Sequence, residues 1–295
     1  MLRLSTAAKL TIARAMRGAV GAWLRLRGRD PRQVVCTRNG VRWLLDLDEG
    51  IQLVLYLGVY ERSTAKALAR LARPDAIVID VGANIGAHAL PLASRLGADG
   101  RVVAVEPADA AMRRLRDTCA LNPELSSRVT LVHRALVAPG ETAARTYFAR
   151  WPLAHADHAH PVHQGVPETS SATGSTLDDL VAELGLTRVD LIKLDVDGAE
   201  LPVLRGASAT LIRHRPIVVF EWCPYLLEER GEDPRALTRV FIEHGYRLYD
   251  ERTLEVVAVG DEELMRTIPA GGSINVVARA PAPDRDSPAP ARCRD

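Results

Sequence analysis

Two carboxylates and two glycines at fixed spacing carry the first chemical signal in this chain. Asp80 ends the β-branched run IVID, and Gly82, Asn84 and Gly86 follow it within six residues. Glycines placed this way let backbone N–H groups and a helix N-terminus approach a nucleotide-like ligand with no Cβ in the way. Glu106 stands 26 residues beyond Asp80, at the end of a second apolar run, and its two oxygens match the spacing of a ribose diol. In KLDVDGAE, Lys193, Asp195 and Asp197 share one face of a strand by alternation, Glu200 follows Gly198 at the next helix start, and Glu221 closes the run IVVFE. Carboxylates at strand ends can take a proton from a substrate hydroxyl, and Lys193 can pair with one of them and set its pKa. A buried structural ion pair is the plainer reading of the same lysine. His88 is a further candidate base, one turn into the helix that follows the glycines.

Asp80 also bears on which cofactor fits. Dinucleotide binding needs G-x-G-x-x-G so that a pyrophosphate reaches the helix N-terminus, whereas here a carboxylate precedes Gly82-Ala83-Asn84-Ile85-Gly86 and repels phosphate. S-adenosylmethionine carries no phosphate, and its ammonium and sulfonium favour an acidic neighbour. The turn therefore favours S-adenosylmethionine over NAD.

These residues need a frame that brings strand ends together. From Ala76 onward, buried apolar runs alternate with helical stretches: AIVIDVG, RVVAVEP, RVTLVHRALV, VDLIKLDVDG and PIVVFEW are five strands, each followed by a helix or a loop leading to one. AELPVLRGASATLIRHR reads as one helix, TLDDLVAELG as a helix capped by Ser175 or Thr176, and DPRALTRVFIEHG as a helix with Pro234 at its start. YRLYDE and SINVVARA close the chain as two strands with no crossover helix between them. The fold class is α/β, a doubly wound Rossmann-like sheet of seven strands whose last pair is antiparallel. Residues 76–280 form this domain. Before it, residues 31–75 hold a hairpin turning at Asn39-Gly40 and a helical lead-in with Ser63 as N-cap. Residues 151–175 form a long loop insertion without periodicity, and 281–295 a disordered tail.

Composition excludes several classes. With 38 basic and 37 acidic residues the net charge is +1, so no global field argues for nucleic acid, and no nucleic-acid partner is expected. The four cysteines are scattered, which suggests neither a zinc knuckle nor a disulfide framework, and a reducing cytoplasm is the default location. Residues 2–29 are basic and amphipathic, with no acidic side chain. This segment (1–30) reads as a helix packed on the domain, as a peripheral contact lying on a membrane surface, or as a poorly ordered extension. Charges interrupt it too often for a membrane span, and no signal peptide is expected. In the loop insertion, His155, His158, His160 and His163 suggest transition-metal ligands, a pH-sensitive lid or an ordinary polar loop, and no metal is assigned. Tyr147 and Trp151 upstream can stack on a sugar or polyketide face.

Several segments together, VYE (59–61), VIDVGANIG (78–86), VEP (105–107), STLDDL (175–180), DLIKLDVDGAE (190–200), VLRGA (203–207) and FEW (220–222), resemble the FkbM-type methyltransferases in the right order over roughly residues 58–245. The resemblance implies the class I methyltransferase sheet and an S-adenosylmethionine-dependent O-methyltransferase acting on a hydroxyl of a natural product, sugar or glycolipid. It places Glu61 at the methionine end of the cofactor and Asp80, Gly82, Asn84, Gly86 and Glu106 around the rest. Ala135 is expected beside the adenine, and the catalytic candidates are Asp195, Glu221, Lys193 and His88. RNA or protein methylation and a cofactor-binding module without catalysis are the competing functions. The first lacks a basic surface interleaved with aromatics; the second predicts degraded strand-end carboxylates, which this chain retains.

Overall fold

A basic helix, a hairpin and two short helices precede the sheet that holds the site. The computed structural model describes residues 6–154, 157–257, 268 and 271–281. Helix α1 (Thr6–Leu26) leads to strands β1 (Val34–Arg38) and β2 (Val41–Leu45). Asn39 and Gly40 join them with φ of 52° and 79°, the pair of left-handed residues that a tight hairpin needs. Alternation along β2 buries Val41, Trp43 and Leu45 against Leu24 of α1 and Leu53 of α2 (Gly50–Tyr56). Helix α3 (Arg62–Leu71) then runs to the first core strand. It starts one residue before the expected cap Ser63: Glu61, at φ 30°, is the residue before the helix, and no side chain caps it.

The alternation of strands and helices proceeds as β3 (Ile77–Val81), α4 (Ala89–Arg95), β4 (Arg101–Val105), α5 (Asp109–Ala120) and β5 (Val129–Val132). The expected third strand is cut at His133. Residues beyond it form β6 (Arg134–Leu136), which leaves the sheet. The chain continues through β7 (Thr146–Arg150), β8 (Val166–Thr169), β9 (Thr173–Ser175) and α6 (Leu177–Glu183), which Thr176 caps by accepting the Asp179 N–H. Strand β10 (Leu191–Leu194), helices α7 (Glu200–Arg205) and α8 (Ser208–His214), strand β11 (Ile217–Trp222), helices α9 (Pro224–Glu229) and α10 (Pro234–Glu243), and strands β12 (Arg247–Asp250) and β13 (Ile274–Arg279) complete it. The single helix expected over 199–215 is two. Gly206 packs where an added Cβ would lie 2.7 Å from the Val137 carbonyl, and Asp178 accepts the N–H groups of Ala209 and Thr210, starting a new helix.

The seven-stranded sheet has the order β12-β13-β11-β10-β3-β4-β5, with β13 antiparallel to both neighbours and the rest parallel. This is the Rossmann-like class I arrangement. Runs such as Val78 and Ile79 are wholly buried because helices cover both faces, and each such side chain contributes about 1.5–3 kcal/mol. The chain winds one way from β3 to β5 and the other from β10 outward, so the carboxyl ends of β3 and β10 flank the crevice where ligands of such sheets bind. The segment 151–175 is only partly loop. Strand β8 within it pairs antiparallel with β7, and β9 pairs in parallel with β6, so the excursion is held by two two-stranded pairs outside the main sheet. His155 and the tail beyond Pro281 lie outside the described residues.

Candidate active site

A cavity of about 420 Å³ opens at the crevice between β3 and β10. Its floor is the turn after β3, its back wall the ends of β10 and β11, and Tyr147, Phe148, Trp151 and His163 roof it.

The turn works through close approach. Gly82 sits at φ 79°, and a Cβ there would stand 1.8 Å from the Asp195 carbonyl oxygen, so only glycine lets β3 and β10 meet at this height. The N–H groups of Gly82 and Ala83 both donate to the Val105 carbonyl at 3.0 Å, which fixes the turn on β4. Asn84, at φ 49°, donates its backbone N–H to Glu106 Oε2 at 2.8 Å, and Ala108 N–H donates to Glu106 Oε1 at 2.8 Å. Each carboxylate oxygen can accept two hydrogen bonds and here accepts one from the backbone, so both keep capacity for a further donor. Burial pushes the Glu106 carboxyl up to about 7 despite these two N–H donors. Ala135 also lines the cavity, as do Gly82 and Asn84.

Two residues expected around the cofactor do not reach the cavity wall. Gly86, at φ 85°, lies behind the turn against Leu90 and Leu115, where it lets the helix pack on the sheet. Asp80 is 2% exposed within β3, with neither oxygen hydrogen-bonded, and lies below the floor. Its charge is offset by Lys193 Nζ, 3.5 Å away, which also stands 3.1 Å from Asp195 Oδ2. Burial works against the Lys193 ammonium, but Asp195, Asp80 and Glu61 outweigh it and raise its pKa, so it stays charged.

The expectation that Lys193, Asp195 and Asp197 share a strand face does not hold, because β10 stops at Leu194. Asp195 is kept beside β3 by donating its N–H to the Val81 carbonyl at 3.1 Å, and Asp197 turns into the left-handed region at φ 50°. Burial, then the neighbouring Asp195 and Glu200, raise Asp197 well above the usual carboxylate range. Glu221 is raised likewise by burial, Asp195 and Asp197, while Ser273 donates to its Oε1. At the other end, His88 is no helix-surface histidine: it precedes α4, is buried, and meets Glu61 Oε2 through Nε2 at 2.7 Å. Burial alone would raise the Glu61 carboxyl, but the hydrogen bond and charge of His88 and the charge of Lys193 hold it below its ordinary value. Tyr60, the tyrosine of VYE, lies over His88, ring centroids 5.2 Å apart, and lines the cavity. Ser273, Phe148 and Arg230 carried no sequence signal at all.

His160 and His163 of the insertion are packing groups here. His160 and His163 stack at 4.0 Å, His163 meets Phe148 edge to face at 4.6 Å, and His160 Nε2 lies 2.9 Å from Glu229. Burial and the neighbouring His160 push His163 down to about 4, so it is neutral at neutral pH. His158 is exposed. Among the described residues, the side chains with converging metal-capable atoms are elsewhere, at Asp195, Glu200 and Glu221.

A family model described as the methyltransferase FkbM domain matches residues 80–248, more than half of the chain and all of the site residues above except Tyr60, Glu61 and Ser273. The chain belongs to the FkbM methyltransferase family. Among relatives of this FkbM chain, methyltransferase sdnD of Sordaria araneosa is 30% identical over 193 residues, covering 53% of this chain and 73% of its own. The AMB antimetabolite synthetase AmbE of Pseudomonas aeruginosa is 29% identical over 189 residues, which span 50% of this chain but only 8% of AmbE. A crystal structure of methyltransferase FkbM from Methylobacillus flagellatus aligns with 76% of this chain and 52% of its own, at 15% identity and a TM-score of 0.42. S-adenosylmethionine is the methyl donor of the family. The residues present fit it: Glu106 and Glu61 both line the cavity, Glu106 with acceptor capacity that would suit ribose hydroxyls and Glu61 with a carboxylate that would suit the ammonium.

Proposed function

We propose that this FkbM methyltransferase is an O-methyltransferase acting on a hydroxyl of a small natural product, sugar or glycolipid. The observation that carries the reading is the Lys193–Asp195 pair, held at the cavity end of β10 beneath an aromatic roof. The cofactor supplies an electrophilic methyl group. The protein must hold an acceptor oxygen in line with it in a dry cleft and provide for the hydroxyl proton. Asp195 accepts that proton or the hydrogen bond that orients the hydroxyl, and Lys193 keeps its carboxylate in place. Glu221 is the second carboxylate within reach. His88 positions Glu61 rather than serving as a base, because its Nε2 is already engaged. Phe148 and Trp151 give an apolar face on which a ring can lie. Labelled-methyl transfer from S-adenosylmethionine into an extract of the source cells tests the reading: label in a small alkali-stable ether supports it, and label confined to RNA or protein overturns it.

A second proposal concerns α1, which the sequence leaves between core packing and membrane contact. Its Leu24 is buried, Ala13 and Val20 pack on the domain, Arg14 donates to the Leu153 carbonyl at 2.7 Å and Arg17 pairs with Asp48. On a 3.6-residue wheel Ile12, Met16, Trp23 and Leu26 fall together on an outward arc, 40–88% exposed, with Ala19 between them and Ala15 and Ala22 just beside Leu26. Arg25 and Arg27 flank that arc, Arg27 lying 4.3 Å over Trp23. An apolar arc bordered by arginines suits an anionic bilayer surface. No helix among the described residues is long and apolar enough to cross a membrane. A cytoplasmic location with this surface contact is part of the same proposal.

A further inference from the structure

Three carboxylates at the back of the cavity have a geometry that proton transfer alone does not require. One oxygen from each of Asp195, Glu200 and Glu221 lies within 4.8 Å of the other two. They come from three separate places in the frame: the residue after β10, the first turn of α7 and the end of β11. Like charges this close repel, so the fold holds them together against their own electrostatics.

Each is also anchored by one oxygen. Glu200 Oε1 accepts the N–H groups of Val196 at 2.9 Å and Gly198 at 3.4 Å, Glu221 Oε1 accepts from Ser273 Oγ, and Asp195 Oδ2 faces the Lys193 ammonium at 3.1 Å. Glu200 is 0% exposed, and its Oε2 is buried with no hydrogen-bond partner. A buried carboxylate oxygen left with no donor is costly and is normally satisfied by a group that binds there. Carboxylates fixed through one oxygen and free at the other are what a metal site asks of its ligands, since the outer hydrogen bonds orient them. Gly198, at φ 90° and against Leu226, permits the turn that brings Glu200 under Asp195.

We propose that Asp195, Glu200 and Glu221 hold a divalent cation with a preference for oxygen ligands, Mg²⁺ or Mn²⁺. An all-carboxylate set suits these ions and leaves coordination positions open toward the cavity. Resting on the O-methyltransferase reading, the cation is then the seat of the acceptor: it binds two neighbouring oxygens, as in a vicinal diol or an α-hydroxy carbonyl, beside the methyl donor. Asp195 acts as a ligand that places the acceptor, and the substrate class narrows to compounds with adjacent oxygens.

Electron paramagnetic resonance of Mn²⁺ titrated into the full chain tests this without turnover. The expected result is one Mn²⁺ per chain, displaced by Mg²⁺, with affinity at least about tenfold weaker in Asp195→Asn and in Glu221→Gln, while both variants still bind S-adenosylmethionine by calorimetry. Glu200→Gln is expected to weaken Mn²⁺ binding similarly; if that buried variant does not fold, the other two decide. Mn²⁺ that stays free at millimolar protein-saturating concentrations, or binds both variants as it binds the native chain, overturns the site. Methyl transfer to a hydroxyl undiminished by EDTA removes the cation and keeps the O-methyltransferase reading. One bound Mn²⁺ with no methylated hydroxyl product keeps the site and removes that reading together with the diol acceptor.

Discussion

Gly82 and Asp195 meet so closely that a single added Cβ would lie 1.8 Å from the Asp195 carbonyl oxygen. The turn after β3 and the residue after β10 are thus one mechanical unit, built at the point where the sheet changes direction. Gly82→Ala must both leave a left-handed φ and push β10 away. The expected outcome is a loss of about 2–4 kcal/mol of stability together with weaker cofactor binding, read by denaturant melts and calorimetry. An alanine variant as stable as the native chain contradicts the contact.

Glu106→Gln keeps the shape of the side chain and one acceptor but removes the charge. Cofactor affinity is expected to fall about ten- to a hundredfold, in line with about 1.5–3 kcal/mol for hydrogen bonds to a charged group. Calorimetric affinity equal to the native value takes Glu106 off the ribose.

The pH dependence follows from the same residue. On the proposed ribose contact the ionised carboxylate is the form that accepts hydroxyl donors, and its pKa is raised to about 7, so that form is lost as pH falls through this value. Cofactor affinity should rise between pH of about 6 and about 8 and flatten above, and Glu106→Gln should abolish the slope. In the protein alone the sign reverses. The folded chain holds this proton more tightly than the unfolded one, so Glu106 contributes stability below 4.5 that is lost as pH rises through about 7.

Lys193→Met leaves Asp80 buried with no counter-charge and no hydrogen bond. A loss of about 3–5 kcal/mol is expected, and Asp80→Asn in the same chain should restore a good part of it. A double variant no more stable than Lys193→Met refutes the coupling.

Trp23→Asp should release α1 from vesicles rich in phosphatidylglycerol in a sedimentation assay, while leaving the melting temperature nearly unchanged because Trp23 lies on the exposed arc. Equal sedimentation with neutral phosphatidylcholine vesicles, or no effect of the substitution, rules out the anionic-surface contact.

Much of this arrangement is legible in the residues because strands and turns announce themselves locally. β-Branched runs followed by Gly82 and Gly86 can form little but a strand and a turn, and Glu106 ends its strand where the pattern says. What the pattern misses is decided by tertiary contact. Asp80 reads as a strand-end residue facing the cofactor but is buried within the sheet, and its partner is Lys193, 113 positions away. His88 looks like a helix-surface residue, yet α4 starts after it and Glu61 holds it inward. Ser273 reaches Glu221 only because β13 runs antiparallel to β11. The cut at His133 is set by pairing with β9, which no periodicity in residues 134–136 reveals.

That pairing of β6 with β9 has a bearing on descent. Residues 137–172 depart from the frame and return to it at adjacent points, so the segment carrying Tyr147, Phe148 and Trp151 can change in length or composition while its two attachment points stay put. A change of this stretch by descent, or a graft made at Leu136 and Thr173, would thus leave the turn after β3 and the ends of β10 and β11 in place.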